Sequence, residues 1–172
     1  EAIRELKDDA IALDKALFPN EPPLFPHQRQ IFRNLEHYPR NWIEAARGGA
    51  KSSSIGRWLP NYLLRHPKRR AVISGPSYRQ SKIPWRYAKN TIFDGAILPW
   101  DEFLAKEPTE SNESALIVFR NGSSILALPA SGTKLHGTRG HVLVLTEFFD
   151  YPEDLYTRTV VPMLAVKSHG EP

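Results

Sequence analysis

Apolar residues recur early in the chain at Ile3, Leu6, Ala10, Leu13 and Leu17. That three-to-four-residue spacing predicts a helix over 3–17. "FPNEPPLFP" follows, and its four prolines predict an extended connector. "HQRQIFRNLEH" has helical spacing again, with Ile31 and Leu35 on the expected buried face, and "NWIEAA" reads as a short buried strand. "KSSSIGRWLPNYLLRH" predicts a helix that Pro60 kinks or restarts, because proline has no N–H to give. "RRAVISG" is a strand stopping at Gly75-Pro76, and "YRQSKIPWRYAKNTIF" is mostly helical with one proline inside. Residues 96–114 are polar and irregular, a surface excursion. "ALIVFRNGSSILALPA" predicts a hairpin turning at Asn121-Gly122, read as a type I′ turn. A glycine-rich basic loop, "SGTKLHGTRG", precedes a buried strand, "HVLVLTE". "PEDLYTRTVVPML" then opens a helix with a proline and two acids. The alternation of strands and helices predicts an α/β fold with a mostly parallel central sheet flanked by helices, and with a β-hairpin inserted or at its edge.

Composition narrows the class. The 172 residues are 41% hydrophobic and 24% charged, as in one globular domain with a sizeable core. No apolar run is long enough to span a bilayer and no signal peptide opens the chain, so no membrane partner is expected. The absence of cysteine excludes disulfides and thiolate metal sites. A net charge of +4 suits a polyanionic partner and is also common in plain enzymes. Glu1 is not a start methionine, so the N-terminus is expected to be trimmed.

The chemistry concentrates in "EAARGGAKSSS". A phosphate-binding loop curls successive backbone N–H groups around phosphate oxygens. The helix that starts there adds the positive end of its dipole. Lysine reaches the outer phosphates and a serine hydroxyl binds Mg²⁺. Lys51 and Ser52 stand in that order at the predicted helix start, with Ser53 beside them and Gly48 and Gly49 supplying backbone freedom. Ala45 and Ala50 replace the two glycines of the common pattern. A strand-to-helix turn with an exposed lysine fits the same residues.

A nucleotide hydrolase also needs a carboxylate at the end of a neighbouring strand. "VLVLTEFFD" supplies Glu147 about 95 residues after Lys51, an order and spacing that suit a P-loop ATPase of the additional-strand (ASCE) type. Thr146 stands where an Asp usually precedes the Glu. Its hydroxyl can bond a metal-bound water but brings no charge. The plain alternative is a strand-end acid capping the next helix.

Together these residues resemble the ATPase domain of the large terminase subunit, the DNA-packaging motor of tailed phages. "FPHQRQIF" resembles the family's adenine-side glutamine motif, with Gln28 as the reader, and "ARGGAKSS" its deviant phosphate loop, with Arg47 as the internal arginine. "ISGPSYRQSK" is similar to the segment after the next strand. "LHGTRGHVLVLTEF" resembles the Arg-Gly loop and acidic strand, and "YPEDLYTRTVVPML" the following helix. The resemblance implies an ATP-hydrolysing domain over 1–172, with ATP and Mg²⁺ as cofactors. ATP would be held by Gln28, Arg47, Gly48, Gly49, Ala50, Lys51, Ser52 and Ser53. Mg²⁺ would be held by Ser52 and, through water, by Thr146. Glu147 would be the general base, Arg47 would act in cis, and Arg139 would complete the site of a neighbouring subunit in a homo-oligomeric ring. It further implies double-stranded DNA, a portal protein and a small terminase subunit as partners, in the host cytoplasm during virion assembly. The family's coupling motif and C-terminal nuclease domain have no counterpart in these residues, so a fragment of a longer protein is expected.

DNA grip without sequence reading needs Lys and Arg contacts to phosphates. Arg79, Lys82 and Arg86 fall at roughly helical spacing as one candidate stripe, and "RHPKRR" is the other dense basic stretch. His136 and His141 are expected to hydrogen-bond within their loop, and Trp42, Trp58, Trp85 and Trp100 to pack in the core or against the base. Two alternatives stay open: a helicase-like nucleic-acid-dependent ATPase, and a domain that binds nucleotide or DNA without turnover.

Overall fold

The helix expected over 3–17 is two helices, α1 (Ala2–Glu5) and α2 (Ala10–Leu17). Asp9 separates them. Its Oδ1 accepts hydrogen bonds from the Ile11 and Ala12 N–H groups at 3.1 and 2.9 Å, capping α2. A short acid that satisfies orphan donors at a helix start competes with continuation of the preceding helix. The structure, a computed structural model, describes residues 2–46, 48–130, 135, 138–151, 154, 157, 158 and 162.

The connector runs without regular structure to α3 (Pro26–His37). Its buried residue is Phe32, while Ile31 and Leu35, expected to face the core, are half-buried. Residues 41–46 form no strand, and all but Ile43 are exposed. The expected "NWIEAA" strand is therefore absent: these six residues pair with no neighbour in the sheet.

Helix α4 (Lys51–Arg65) runs unbroken through Pro60, which is buried. Strand β1 (Arg70–Gly75) and helix α5 (Tyr78–Asn90) follow, and α5 continues into a π-helical turn, Thr91–Gly95. The polar excursion holds a single-turn helix α6 (Trp100–Phe103) and a two-residue strand β2 (Thr109–Glu110). The hairpin is β3 (Ala115–Val118) with β4 (Ser124–Pro129), and β5 (Val142–Leu145) ends the sheet. Between Phe119 and Ser123 the turn has three residues. The Gly122 N–H donates to the Phe119 carbonyl at 3.1 Å and the Phe119 N–H to the Ser123 carbonyl at 2.9 Å. Gly122 alone of the pair has positive φ (83°), so this is a three-residue loop with a left-handed glycine and not the expected type I′ turn.

Among the described residues the sheet has five strands in the order β2-β3-β4-β1-β5. β1 pairs in parallel with β4 and β5, and β3 pairs antiparallel with β4 and β2. The sheet is therefore mixed, where a mostly parallel one was expected. β5 is an edge strand and half-buried throughout, where a fully buried strand was expected. Most of the helix expected over 152–164 and most of the loop expected over 131–140 fall outside the described residues.

Ala71 and Ile73 of β1 and Ile125 and Ala127 of β4 point into the main core with Trp58, Leu59, Leu63, Trp85 and Ala88 of α4 and α5. Each such large side chain contributes on the order of 1.5–3 kcal/mol by leaving water. Val72, one residue out of phase, faces the other side with Leu135, Ala130 and Leu143. The two long helices meet backbone to backbone at Gly56: a Cβ there would sit 2.4 Å from the Tyr87 Cβ and 2.6 Å from the Pro84 carbonyl. The Ser81 hydroxyl donates to the Leu128 carbonyl at 2.7 Å and fixes α5 to β4.

Buried charge joins the helices. Arg57 of α4 donates twice to Asp14 of α2, at 2.8 and 2.6 Å, and once to the Pro22 carbonyl at 2.6 Å. Asp14 is 1% exposed, and burial pushes its carboxyl above the usual value against the pull of the Arg57 guanidinium. Two turns on, Arg65 forks onto Glu36 of α3 at 2.8 and 2.6 Å, and the Trp58 indole N–H donates to the same carboxylate at 2.6 Å.

Candidate functional site

Chain direction sets the site. Only four residues separate the end of α4 from β1, so the helix must run antiparallel to the strand. Two side-chain bonds mark the joint: Asn121 Nδ2 donates to the Leu63 carbonyl at 2.8 Å, and Ser123 Oγ donates to the His66 carbonyl at 2.9 Å. Both residues lie just before β4, so the C-terminus of α4 sits at the N-terminal edge of the parallel strands. Fifteen helical residues span roughly 22 Å and six strand residues roughly 20 Å, which brings Lys51 level with Gly75 at the C-terminal edge. Open α/β sheets bind ligands at that edge.

The loop before Lys51 is tight. Gly48 has φ +84° and Ala50 has φ 56°, both left-handed. Between them, a Cβ on Gly49 would meet the Ala45 Cβ at 2.8 Å and the Ala46 carbonyl at 3.0 Å, so the turn needs glycine there and a small residue at 45. The Gly49 N–H donates to the Ala46 carbonyl at 3.0 Å. Ala50 takes left-handed angles that cost an alanine roughly 1–2 kcal/mol. No side chain caps α4. The Ser54 N–H donates to the Ala50 carbonyl at 2.9 Å, and the Ser53 and Ser54 hydroxyls donate to that same oxygen at 3.0 and 2.7 Å. The Ser52 and Ser53 N–H groups and the Ser52 hydroxyl have no partner among the described residues. Such an end attracts anions. The Lys51 ammonium is held over the loop by the Ala45 carbonyl and, at 3.4 Å, the Ala46 carbonyl. Arg47 lies outside the described residues.

At the same edge β5 runs out into Thr146 and Glu147. The Thr146 N–H and hydroxyl both donate to the Ser74 carbonyl, at 2.9 and 3.3 Å, so the threonine straps β5 to β1. The approach is close enough that a Cβ on Gly75 would fall 2.4 Å from Thr146 Oγ1. Glu147 is exposed, with φ 52° and ψ 51°, and heads a 3₁₀ turn over Phe148–Asp150. Tyr151 lies beside Ser74, and burial pushes its hydroxyl up to about 12; neither hydroxyl makes a well-formed hydrogen bond among the described residues.

An aromatic contact joins the two segments. Trp42 meets Phe148 edge-on, with centroids 5.4 Å apart, and Phe149 likewise at 5.0 Å. Trp42 is 57% exposed and so does not pack in the core, one of the two placements expected of it, whereas Trp58 and Trp85 are buried and Trp100 stacks on Phe93. Nothing in the hydrophobic pattern marks Trp42 as a contact of the strand-end segment. The adjacent Phe148-Phe149 pair, placed directly after an acid, is the one sequence signal.

The other candidates lie elsewhere. Gln28 Oε1 accepts from the Phe25 N–H at 2.9 Å, closing the start of α3. Arg139 is exposed just before β5, so the length of that strand, roughly 13 Å, separates it from Glu147. There His141 Nδ1 accepts from the Arg70 N–H of β1 at 3.1 Å, a bond to the neighbouring strand and not within the loop; His136 lies outside the described residues. Arg79 and Arg86 are exposed on α5, while Lys82 pairs with Glu110 and lies over the Tyr78 ring. The Lys82 hydrogen bond, more than any other influence, holds the Glu110 carboxyl below its usual range. No group of three or more His, Asp or Glu among the described residues is arranged to hold a metal. A cleft of about 1020 Å³ between α2 and α3 is lined by Lys15, Arg29, Arg33 and Arg57 among others, and by no residue of either segment.

This architecture has solved counterparts. The fold is similar to that of a large terminase ATPase domain. The Thermus phage P74-26 large terminase ATPase domain superposes with a TM-score of 0.54 at 18% identity, covering 79% of this chain and 64% of that one. A mutant of the same domain superposes with a TM-score of 0.52 at 17% identity over the same shares. The chain thus spans a little under two thirds of those structures. No protein-family model matches it, and no curated protein matches it by sequence. Among the described residues no helix is long and apolar enough to cross a membrane.

Proposed function

We propose that this chain is the ATP-hydrolysing motor domain of a phage large terminase, a P-loop ATPase of the additional-strand type that drives double-stranded DNA into the procapsid. One observation carries the reading. An uncapped helix end bearing Lys51, behind a left-handed small-residue turn, and the strand-end acid Glu147 stand at the same edge of a sheet whose fold is similar to a terminase ATPase domain. The free Ser52 and Ser53 N–H groups suit phosphate oxygens, and the Ser52 hydroxyl would hold a magnesium ion. Magnesium, when bound, neutralises phosphate charge. Lys51 leaves the loop carbonyls for the outer phosphates, Glu147 takes the proton of the attacking water, and Gly48, Gly49 and Ala50 shape the cradle. Arg47 belongs to the same cradle, with Gln28 on the base side. Arg139 stands too far along β5 to reach its own site, which supports action on a neighbouring subunit in a ring.

DNA contact by Arg79 and Arg86, with Lys82 released from Glu110, belongs to this reading. So do a portal protein and a small terminase subunit as partners, and action in the host cytoplasm. A second reading, nucleotide or DNA binding without turnover, is favoured by Thr146, whose hydroxyl is committed to Ser74 and brings no second carboxylate to Glu147. Mg²⁺-dependent ATP hydrolysis by the assembled protein, lost in Lys51→Ala and Glu147→Ala, supports the motor. Tight ATP binding with no phosphate release in the assembled protein supports the second reading.

A further inference from the structure

The Trp42 ring lies where burial does not explain it. It is 57% exposed and its partner Phe149 is 81% exposed, so the pair contributes little to the core. What the contact does is join two strands of chain that the sheet does not join. Residues 41–46 have no partner in the sheet, yet Ala45, three residues after Trp42, receives the Lys51 ammonium on its carbonyl. On the other side, Phe148 directly follows Glu147, a non-glycine residue at φ 52°. A left-handed glutamate persists only where its surroundings over-determine it. Below it, Thr146 is strapped to Ser74; above it, Phe148 stacks on Tyr151 at 6.0 Å and meets Trp42 edge-on.

We propose that Trp42 is a positioning residue, its ring gripped by Phe148 and Phe149 so that the phosphate loop and Glu147 keep a fixed relation. The proposal rests on the reading of Glu147 as the base that faces the nucleotide. Two T-shaped contacts, at 89° and 75°, fix both the separation and the angle between the segments, which one apolar contact does not. Losing them leaves ATP its whole binding cradle and lets the acid wander from the line of attack. Misplacing a reacting group by an ångström is a kcat effect.

The test is steady-state ATP hydrolysis by the assembled protein. Trp42→Ala is expected to lower kcat on the order of tenfold to a hundredfold, with KM for ATP within about twofold and the melting temperature nearly unchanged. Trp42→Phe, which keeps a ring, is expected to recover most of the loss. Phe149→Ala, at a position too exposed to threaten folding, is expected to lower kcat in the same sense. Wild-type kcat in Trp42→Ala overturns the proposal, whatever Phe149→Ala does. A rise in KM at unchanged kcat, or no recovery in Trp42→Phe, also overturns it. Absence of turnover in the wild type sinks the enzymatic reading and the proposal together, whereas normal turnover in Trp42→Ala sinks the proposal alone.

Discussion

The two ends of α4 are held in opposite ways. Its C-terminal two thirds is fixed by directional bonds, buried from Arg57 to Asp14 and from Asn61 to the Ala10 carbonyl at 2.8 Å, part-buried from Arg57 to Pro22, and more exposed from Trp58 and Arg65 to Glu36. Its N-terminus has no side-chain cap, follows left-handed residues at 48 and 50, and rests its lysine on two loop carbonyls. Stability is concentrated at one end and unspent hydrogen-bonding capacity at the other. Sites that must accept a ligand are drawn from the less committed parts of a fold.

That contrast can be broken by experiment. The largest effect expected is on chemistry: Glu147→Gln should lower kcat by about 10²–10⁴ and barely move the melting temperature, since the side chain is exposed. A drop in melting temperature matching the loss of rate would erase the distinction. Asp14→Ala should do the converse. It leaves the buried Arg57 charge with only the more distant Glu21 carboxylate, at 3.8 Å, at a cost of up to about 3–5 kcal/mol, while turnover per folded molecule stays near wild type. Replacing both partners, as Asp14→Leu with Arg57→Met, should restore most of that stability, read by denaturant titration.

Gly75→Ala sharpens the boundary between the regions. The added methyl would press on Thr146 Oγ1 and, at 3.0 Å, on the Ser81 N–H, so a loss of about 1–3 kcal/mol is expected together with reduced turnover. Equal stability in that variant would mean the strap between β1 and β5 is slack. The smallest effect is on pH dependence. Burial, then Arg65 and Arg69, holds His66 below its ordinary 6.5; burial, then Arg69 and Arg70, does the same for His141. A lowered folded pKa means the unfolded chain takes up the proton first, so this stability is whole above 6.5 and is lost as pH falls through the folded values. Glu36 repeats the pattern from 4.5: burial raises it, but the bonds from Arg65 and Trp58 outweigh burial and leave it lowered. Melting temperature should therefore decline in two stages on acidification, and His66→Gln with His141→Gln should remove the first.

Much of the framework was legible from local signals. The short apolar run in "RRAVISG" and the glycine at 122 predict β1 and the hairpin, and Lys51 begins its helix where the small-residue turn ends. The errors share a cause in what local patterns omit. "NWIEAA" carries strand-forming residues but finds no partner strand, and pairing, not propensity, makes a strand. Asp9 splits a helix whose apolar spacing runs straight through it, because a cap acts on the backbone and leaves the periodicity intact. Asp14 and Arg57 stand 43 positions apart, and nothing near either announces the other. At the site, the loop and the strand-end acid were readable because each is a compact motif. Their alignment at one sheet edge depends on the matched lengths of α4 and β1, and the Trp42 contact on tertiary structure alone.

The glycine at 56 has a mechanical consequence. With Tyr87 and the Pro84 carbonyl pressed against its bare Cα, α4 has no room to roll or slide on α5. It stands as a fixed post. Under the function proposed above, any rearrangement on triphosphate binding would fall to the loop ahead of Lys51 and leave the helix still.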